Sequence, residues 1–390
     1  MVRSDPPRTA LVLSGGGARG AYQVGVLRGL LDLGVLTGDG RGLDIIVGSS
    51  AGSINAGALA ARADDLTVGI ERLEQVWGHI EAQQVFRTDL RSLGGIGAKW
   101  IRDLSFGGVL KNVSAQSLLD TAPLRELLES AIPFEHIADN IRSGALRGLA
   151  ILATDLENSD GVIFLQASEE IVPWERTRWV VEPTRIGAGH LMASSAIPIF
   201  FPSIEVDGRH LGDGCIRNTT PLSPAINMGA ERVVAIGVRE ARDPQRIVET
   251  SRGAPPSVAQ IAGVLLDAVM LDAIEVDVAH SERVNTSVEL CRTPDPASPF
   301  HWVDVLWLGP SQSIASIAAE MADHIPRIVR YLMRGLGSDE ATTELTSYLL
   351  FDPAFCQRLM EMGRQDVLDS RDSIESFFAG ERPPLPPPAR

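Results

Sequence analysis

Two short glycine-rich stretches carry residue types suited to acyl or phosphate chemistry. The first is Gly15-Gly16-Gly17-Ala18-Arg19-Gly20. Glycines here let backbone N–H groups face outward at a helix N-terminus, where an anion is stabilised. The same letters spell GxGxxG, a turn that also holds a dinucleotide pyrophosphate. The second is Gly48-Ser49-Ser50-Ala51-Gly52, which spells GxSxG. That spacing suits a sharp strand-to-helix turn presenting a serine Oγ at the top of a sheet. Gly48 and Gly52 would permit the turn and the close packing of the helix behind it. Each pattern alone is weak, with about 0.3 chance matches expected for this composition and length. Together they say more. A dinucleotide fold would end its second strand on an acidic residue for the ribose hydroxyl, and here GSSAG stands in that place.

A serine nucleophile needs a base, and the usual partner is histidine. His280, His301 and His324 follow Ser50 in the order that an α/β hydrolase would require, but no motif surrounds any of them. Asp213 is the better candidate. It lies in His210-Leu211-Gly212-Asp213-Gly214-Cys215, where glycine on both sides leaves the carboxylate sterically reachable. With an ordinary aspartate pKa of about 3.9, an Asp base would give an acidic limb well below the value near 6.5 of a histidine.

These residues must be held by strands and helices. Ala10–Ser14 reads as a buried strand and Ala21–Leu33 as a helix, then Asp44–Val47 as a strand and Ser53–Ala61 as a helix of small residues. Strand, helix, strand, helix is the signature of a parallel sheet of the α/β class. Both glycine turns would then sit at the C-terminal edge of that sheet, where substrates bind. Further strands are expected at Leu149–Thr154, Val162–Gln166, Arg232–Val238 and Val303–Leu308, with a hairpin turning at Asp207-Gly208. Helices are expected at Pro123–Ile132, His190–Ser195, Ser223–Met228, Val258–Ala279 and Ser311–Met333. Asp155, also at a strand end, is expected to be structural.

GGGARG, GSSAG and DGC occur in this order, with ASSAIPIFFPSIEVDG leading into the last. This set resembles the patatin-like phospholipase family over roughly residues 9 to 230. The resemblance implies a three-layer α/β/α fold with a mostly parallel central sheet, and a serine acyl hydrolase of phospholipase A or lysophospholipase type. It implies a Ser50–Asp213 dyad without histidine and an oxyanion hole from Gly15, Gly16, Gly17, Arg19 and Gly20, helped by Ala51. It implies no metal and no organic cofactor. One departure stands out: the family continues Asp-Gly with Gly or Ala, where this chain has Cys215. Cysteine is small, so the turn is expected to survive.

The chain is organised as a catalytic region at 9–230, remaining strands and helices of the same domain at 231–335, and a helical C-terminal extension at 336–382. A proline-rich, disordered tail follows at 383–390. The extension carries no chemical motif and reads as packing. The 390 residues include 35 basic and 50 acidic ones, a formal charge of −15, which argues against a nucleic-acid partner. Three scattered cysteines give no disulfide framework or zinc spacing, and no apolar run is long enough for a spanning helix. A cytoplasmic protein, transiently peripheral to a membrane, is the expectation. The segment Phe86–Lys111 is net basic and carries Phe86, Trp100 and Phe106. It reads as a connector with core aromatics, or else as a cap meeting anionic lipid. Two rivals to the lipid hydrolase are a thioesterase or acyltransferase using the same acyl-serine, and a nucleotide-gated scaffold whose glycine loop binds phosphate.

Overall fold

The computed structural model describes residues 7–37, 42–87, 117–240, 273–291, 300–325 and 339–381, with positions 268 and 330. Most of the Phe86–Lys111 segment, the first part of Val258–Ala279, the end of Ser311–Met333 and the proline-rich tail lie outside the described residues.

The chain opens with β1 (Thr9–Leu13), α1 (Gly20–Asp32), β2 (Ile45–Ser49) and α2 (Ala51–Ala60). Then come α3 (Leu66–His79), α4 (Ala82–Val85), α5 (Ala122–Ala131) and α6 (Glu135–Ser143). β3 (Gly148–Asp155), β4 (Gly161–Ala167) and β5 (Trp179–Pro183) precede α7 (Ala188–Ser194). The hairpin of β6 (Ile204–Val206) and β7 (Arg209–Asp213) leads to α8 (Ser223–Asn227) and β8 (Arg232–Ile236). The remaining elements are α9 (Ala273–Leu290), β9 (Asp304–Leu308), α10 (Ile314–Glu320), α11 (Asp339–Leu349), α12 (Pro353–Asp369) and α13 (Arg371–Ala379).

The sheet runs in the order β5-β4-β3-β2-β1-β8-β9, with β7 joined to both β3 and β6. The pairs β2–β3, β1–β2, β1–β8 and β8–β9 are parallel, while β4 turns back antiparallel on β3. Strand alternation divides the core in two. Leu11, Leu13, Ile46 and Ile151 face α1 and α2, whereas Ala10, Val12, Ile45 and Ala150 face α8 and the far helices. This is the mostly parallel α/β arrangement that the motif order implied.

Some elements differ from expectation. The helix expected to end at Ala279 continues to Leu290, although its last turns lose the apolar periodicity. The helix expected over Ser311–Met333 is described only as Ile314–Glu320, followed by a single turn at Ala322–His324. β5 was not expected: it is a half-exposed edge strand without an apolar run. α3 was not expected either, although its buried Leu66, Ile70, Leu73 and Trp77 do recur at helical spacing. Phe86 is fully buried and packs on Phe201 and Phe351, so it is core rather than a lipid contact.

The extension packs intimately on the catalytic region. α12 lies against α1 where both helices carry glycine: a Cβ on Gly25 would stand 1.9 Å from the Met360 carbonyl oxygen, and one on Gly363 2.4 Å from that of Tyr22. Tyr22 Oη donates to Asp366 Oδ2 at 2.9 Å across the same seam. Alanine is the better helix former by about 1 kcal/mol, so Gly25→Ala isolates the packing. Overpacking against backbone is expected to cost more than that gain, giving a net loss of about 1–2 kcal/mol. Thermal unfolding checks this; an unchanged or raised Tm would contradict the close approach.

Candidate active site

Ser50 sits between β2 and α2 with φ 52° and ψ −129°. A non-glycine residue rarely adopts that backbone, so the surroundings must hold it there. They do so in three ways. The Ser50 N–H donates to Ser194 Oγ at 3.0 Å, and Ser53 Oγ donates to the Ser50 carbonyl at 2.6 Å. A Cβ on Gly52 would meet the Leu13 carbonyl oxygen at 2.3 Å, and one on Gly48 the Gly52 oxygen at 2.5 Å. Gly48 and Gly52 therefore let the helix approach the strands closely enough to fix the turn.

Sheet register brings Asp213 to Ser50. Along one edge of β3, Leu152 pairs with Ser49, the last residue of β2. β2 turns away there, and the next residue of β3, Ala153, pairs instead with Asp213 of β7. Thr154 Oγ1 donates to the Asp213 carbonyl at 2.8 Å, and the Asp213 N–H donates to Ala196 at 3.1 Å. The carboxylate accepts the Cys215 N–H on Oδ1 at 2.9 Å. Asp213 Oδ2 and Ser50 Oγ are both sealed from solvent, and neither has a hydrogen bond of ordinary geometry. The Ser50 hydroxyl nonetheless acts on the carboxyl, opposing the effect of burial.

Burial is the larger effect and pushes the Asp213 carboxyl from its ordinary 3.8 up to about 6. Among the described residues no cation contributes to that balance. The expectation of an acidic limb well below 6.5 is therefore corrected: a base with this pKa titrates close to a histidine. No histidine hydrogen-bonds to Ser50 or Asp213 among the described residues. His301 reaches the Ala230 carbonyl at 3.4 Å and His324 pairs with Asp352 at 3.2 Å, while His280 acts on Asp277.

The glycine stretch comes to the same place, with corrections to its membership. Gly15 is pressed on Ser50: a Cβ there would stand 2.8 Å from Ser50 Cβ and 2.3 Å from Cys215 Sγ. Its N–H serves the Cys215 sulfur. The Arg19 N–H is taken by the Gly16 carbonyl at 3.1 Å, and the Gly20 N–H by Gly17 and Ala18. Gly15, Arg19 and Gly20 are thus not free donors for an oxyanion. Among the described residues, no acceptor takes the N–H of Gly16 or Gly17, and Gly17 lines the same cavity as Ser50 and Ala51.

Arg19 has another task. Its buried side chain donates from Nε to Ser347 Oγ at 2.8 Å, pairs with Glu344 and lies over the Tyr348 ring at 4.4 Å. Gly17, at φ 56°, abuts the Tyr348 carbonyl, which a Cβ would meet at 2.3 Å. α11 of the extension thereby grips the glycine turn, and Phe351 just beyond it lines the cavity. A buried polar string grips it from the other side. Trp77 Nε1 donates to Asn55, Asn55 Nδ2 to Gln23 and to the Gly20 carbonyl, and Gln23 Nε2 to the Ser14 carbonyl, at 2.7 to 3.1 Å. None of these supports was expected from sequence. The only available signal was ASSAIP, whose first serine, Ser194, braces the Ser50 backbone.

The turn after Asp213 survives with cysteine: Gly214–Ile216 form one tight helical turn. Cys215 is buried, 3.3 Å from Ser49 Oγ, and burial raises its thiol well above the usual range. It stays neutral beside Asp213. Asp155 is structural as expected, accepting from the Glu157 and Asn158 backbone. No group of three or more potential metal ligands occurs among the described residues.

The raised Asp213 pKa has a thermodynamic sign. Below about pH 3.8 the carboxyl is neutral in folded and unfolded chains and burial costs nothing; above about pH 6 the folded chain carries a desolvated charge. The cost there is about 3 kcal/mol, from roughly two pKa units. Asp213→Asn is therefore expected to raise Tm at pH 8, with a gain that shrinks as the pH falls to 4. A pH-independent change in Tm would contradict a buried, uncompensated carboxylate.

The model of the patatin-like phospholipase family matches residues 11–226. An NTE family protein of Mycobacterium tuberculosis is 28% identical over 242 residues, covering 60% of this chain and 50% of its own. Patatin-like phospholipase domain-containing protein 7 of Rattus norvegicus is 29% identical over 237 residues, 59% of this chain and 13% of the rat protein. The chain thus spans at most about half the length of these curated relatives. Among solved structures, the human GIVD cytosolic phospholipase A2 aligns with TM-score 0.42 and 13% identity, over 96% of this chain and 59% of that one. VipD from Legionella pneumophila aligns with TM-score 0.32 and 14% identity, over 97% and 89%. The family match spans both glycine motifs and Asp213, and more than half of the sequence: the chain belongs to the patatin-like phospholipase family.

Proposed function

We propose that this protein hydrolyses acyl esters of phospholipids or lysophospholipids through a Ser50–Asp213 dyad, visiting a membrane surface to do so. The observation that carries the reading is a buried serine hydroxyl that lines an apolar cavity and acts on the buried Asp213 carboxyl behind it, neither Ser50 Oγ nor Asp213 Oδ2 having a hydrogen bond of ordinary geometry. Family membership supports the substrate class.

Ser50 Oγ attacks the ester carbonyl carbon while its proton passes to Asp213 Oδ2. The Cys215 N–H holds the other carboxylate oxygen, so Oδ2 is the one left to act. Negative charge builds on the former carbonyl oxygen, and the N–H groups of Gly16 and Gly17 are the donors at hand. One such donor is typically worth about 2.7–4 kcal/mol by deletion. The intermediate collapses, the alcohol leaves with the proton from Asp213, and an acyl-Ser50 ester remains. Water then attacks that ester, giving its proton to Asp213, which passes it to Ser50 Oγ as the acyl–Oγ bond breaks and a fatty acid is released. A carboxylate near pKa 6 is a stronger base than an ordinary aspartate, and the dry site that raises its pKa also strengthens the oxyanion contacts.

The cavity of about 570 Å³ is lined by Ile54, Leu73, Trp77, Leu124, Leu128, Ile197, Phe201 and Phe351. Such a wall suits an acyl chain. This favours the hydrolase over a phosphate-binding scaffold.

A fluorophosphonate probe tests the nucleophile: the wild-type protein is expected to be labelled and Ser50→Ala not. Labelling that persists in Ser50→Ala, or none in the intact protein, would refute the assignment. The kcat/KM profile is expected to fall on the acid side with a midpoint near 6, because attack needs the Asp213 carboxylate. Asp213→Asn should lower kcat by at least about 100-fold, while the single variants of His280, His301 and His324 leave the limb in place. A limb that disappeared with one of those histidines would overturn the dyad.

A further inference from the structure

The cavity follows one face of α2. Ser50 at the cap of α2, Ile54 and Ala58 one turn apart on its face, and Arg62 in the turn just past its end all line it. The opposing wall is α3, which runs the other way. A Cβ on Gly20, beside Ala51, would stand 3.2 Å from its Trp77 ring, at the Ser50 end, while a Cβ on Gly69 would stand 3.1 Å from Arg62 Cβ, at the far end. Between those ends the two helices present Ile54, Ala58, Leu73 and Val76. At the far end both walls turn charged, at Arg62 and Arg72, and Val68 beside them is 42% exposed. Ser50 itself is 1% exposed. The groove is therefore closed and apolar at the serine and open and charged where the arginines stand.

We infer that this groove is a ruler for one acyl chain, ended by Arg62 and Arg72, that selects acyl groups of about 12 to 14 carbons. The inference rests on the acyl-hydrolase reading. The ten residues of α2 at about 1.5 Å each, with the cap at Ser50 and the first turn beyond Ala60, give about 18 Å from Ser50 to Arg62. A fully extended chain advances about 1.2 Å per bond. About fifteen bonds span the groove, and the ester linkage and the arginine side chain take up one to three of them. A methyl end that passes the arginines leaves the apolar wall, so further methylenes gain no burial. Glu129 and Glu135 are the other charged side chains on the cavity wall.

The test is equilibrium binding to full-length Ser50→Ala protein, which keeps the groove and removes turnover. Saturated fatty acids of 6 to 18 carbons displace a fluorescent fatty acid. Affinity is expected to rise about 4-fold per added methylene up to 12–14 carbons and then to level off. In the same protein carrying Arg62→Leu and Arg72→Leu, the break should move by at least two carbons to longer chains. A rise that continues unbroken to 18 carbons, a break below 10, a break unmoved by the arginine changes, or no binding would each overturn the ruler. Wild-type hydrolysis of p-nitrophenyl esters of the same acids separates this from the catalytic reading. A clear break in binding without hydrolysis of any ester leaves the ruler standing and refutes the hydrolase.

Discussion

The backbone at Ser50 must take a left-handed turn that costs energy, and much of the surrounding structure follows from holding it. A turn of this kind ends a strand and starts a helix within one residue, so the serine stands at the helix N-terminus and clear of the sheet. It is stable only if the helix comes back close to the strands. Gly48 and Gly52 make that approach possible, and Ser194 and Ser53 take up the backbone groups of the turn. Once β2 leaves the sheet at Ser49, the edge of β3 has open hydrogen-bonding positions, and β7 fills them. The strained turn and the arrival of Asp213 are therefore two consequences of one register.

The same compactness sets the electrostatics. Asp213 is fully buried, receives one backbone N–H and, among the described residues, has no cation acting on it. Its raised pKa is the direct result of desolvation and is a stability cost that the fold carries at neutral pH. Folds accept such a cost most readily where the group acts chemically. The glycine turn beside it is braced from two sides, by the Trp77–Asn55–Gln23 string and by Arg19 gripped between Glu344, Ser347 and Tyr348. Gly16 and Gly17 gain fixed N–H directions from this bracing rather than from the turn alone. The C-terminal extension thus contributes to the site and not only to the core.

The alternation of buried strand and amphipathic helix was legible in residues 9–61 because each segment is short, apolar and punctuated by glycine. The two motifs and Asp213 were legible because glycine marks the places where backbone must approach backbone. What could not be read was everything that depends on register and on distant chain. Arg19 looks, in sequence, like part of an anion cradle; only the position of α11 shows its guanidinium turned away from Ser50. The pKa of Asp213 depends on the absence of a cation in three dimensions, which no local pattern encodes. Phe351 and Glu344 sit in a stretch with no motif, and their roles arise from where α1 and α12 pack.

The central claim is that Asp213 is a buried carboxylate without a compensating charge, poised to take a proton from Ser50. The most direct measurement is the pH titration of its side-chain carboxyl by carbon-13 NMR on selectively labelled protein, with the signal assigned by its loss in Asp213→Asn. A midpoint near pH 6 is predicted. A midpoint at or below the ordinary value of 3.8 would contradict it, since it would mean a solvated or cation-paired carboxylate too weak to act as the base.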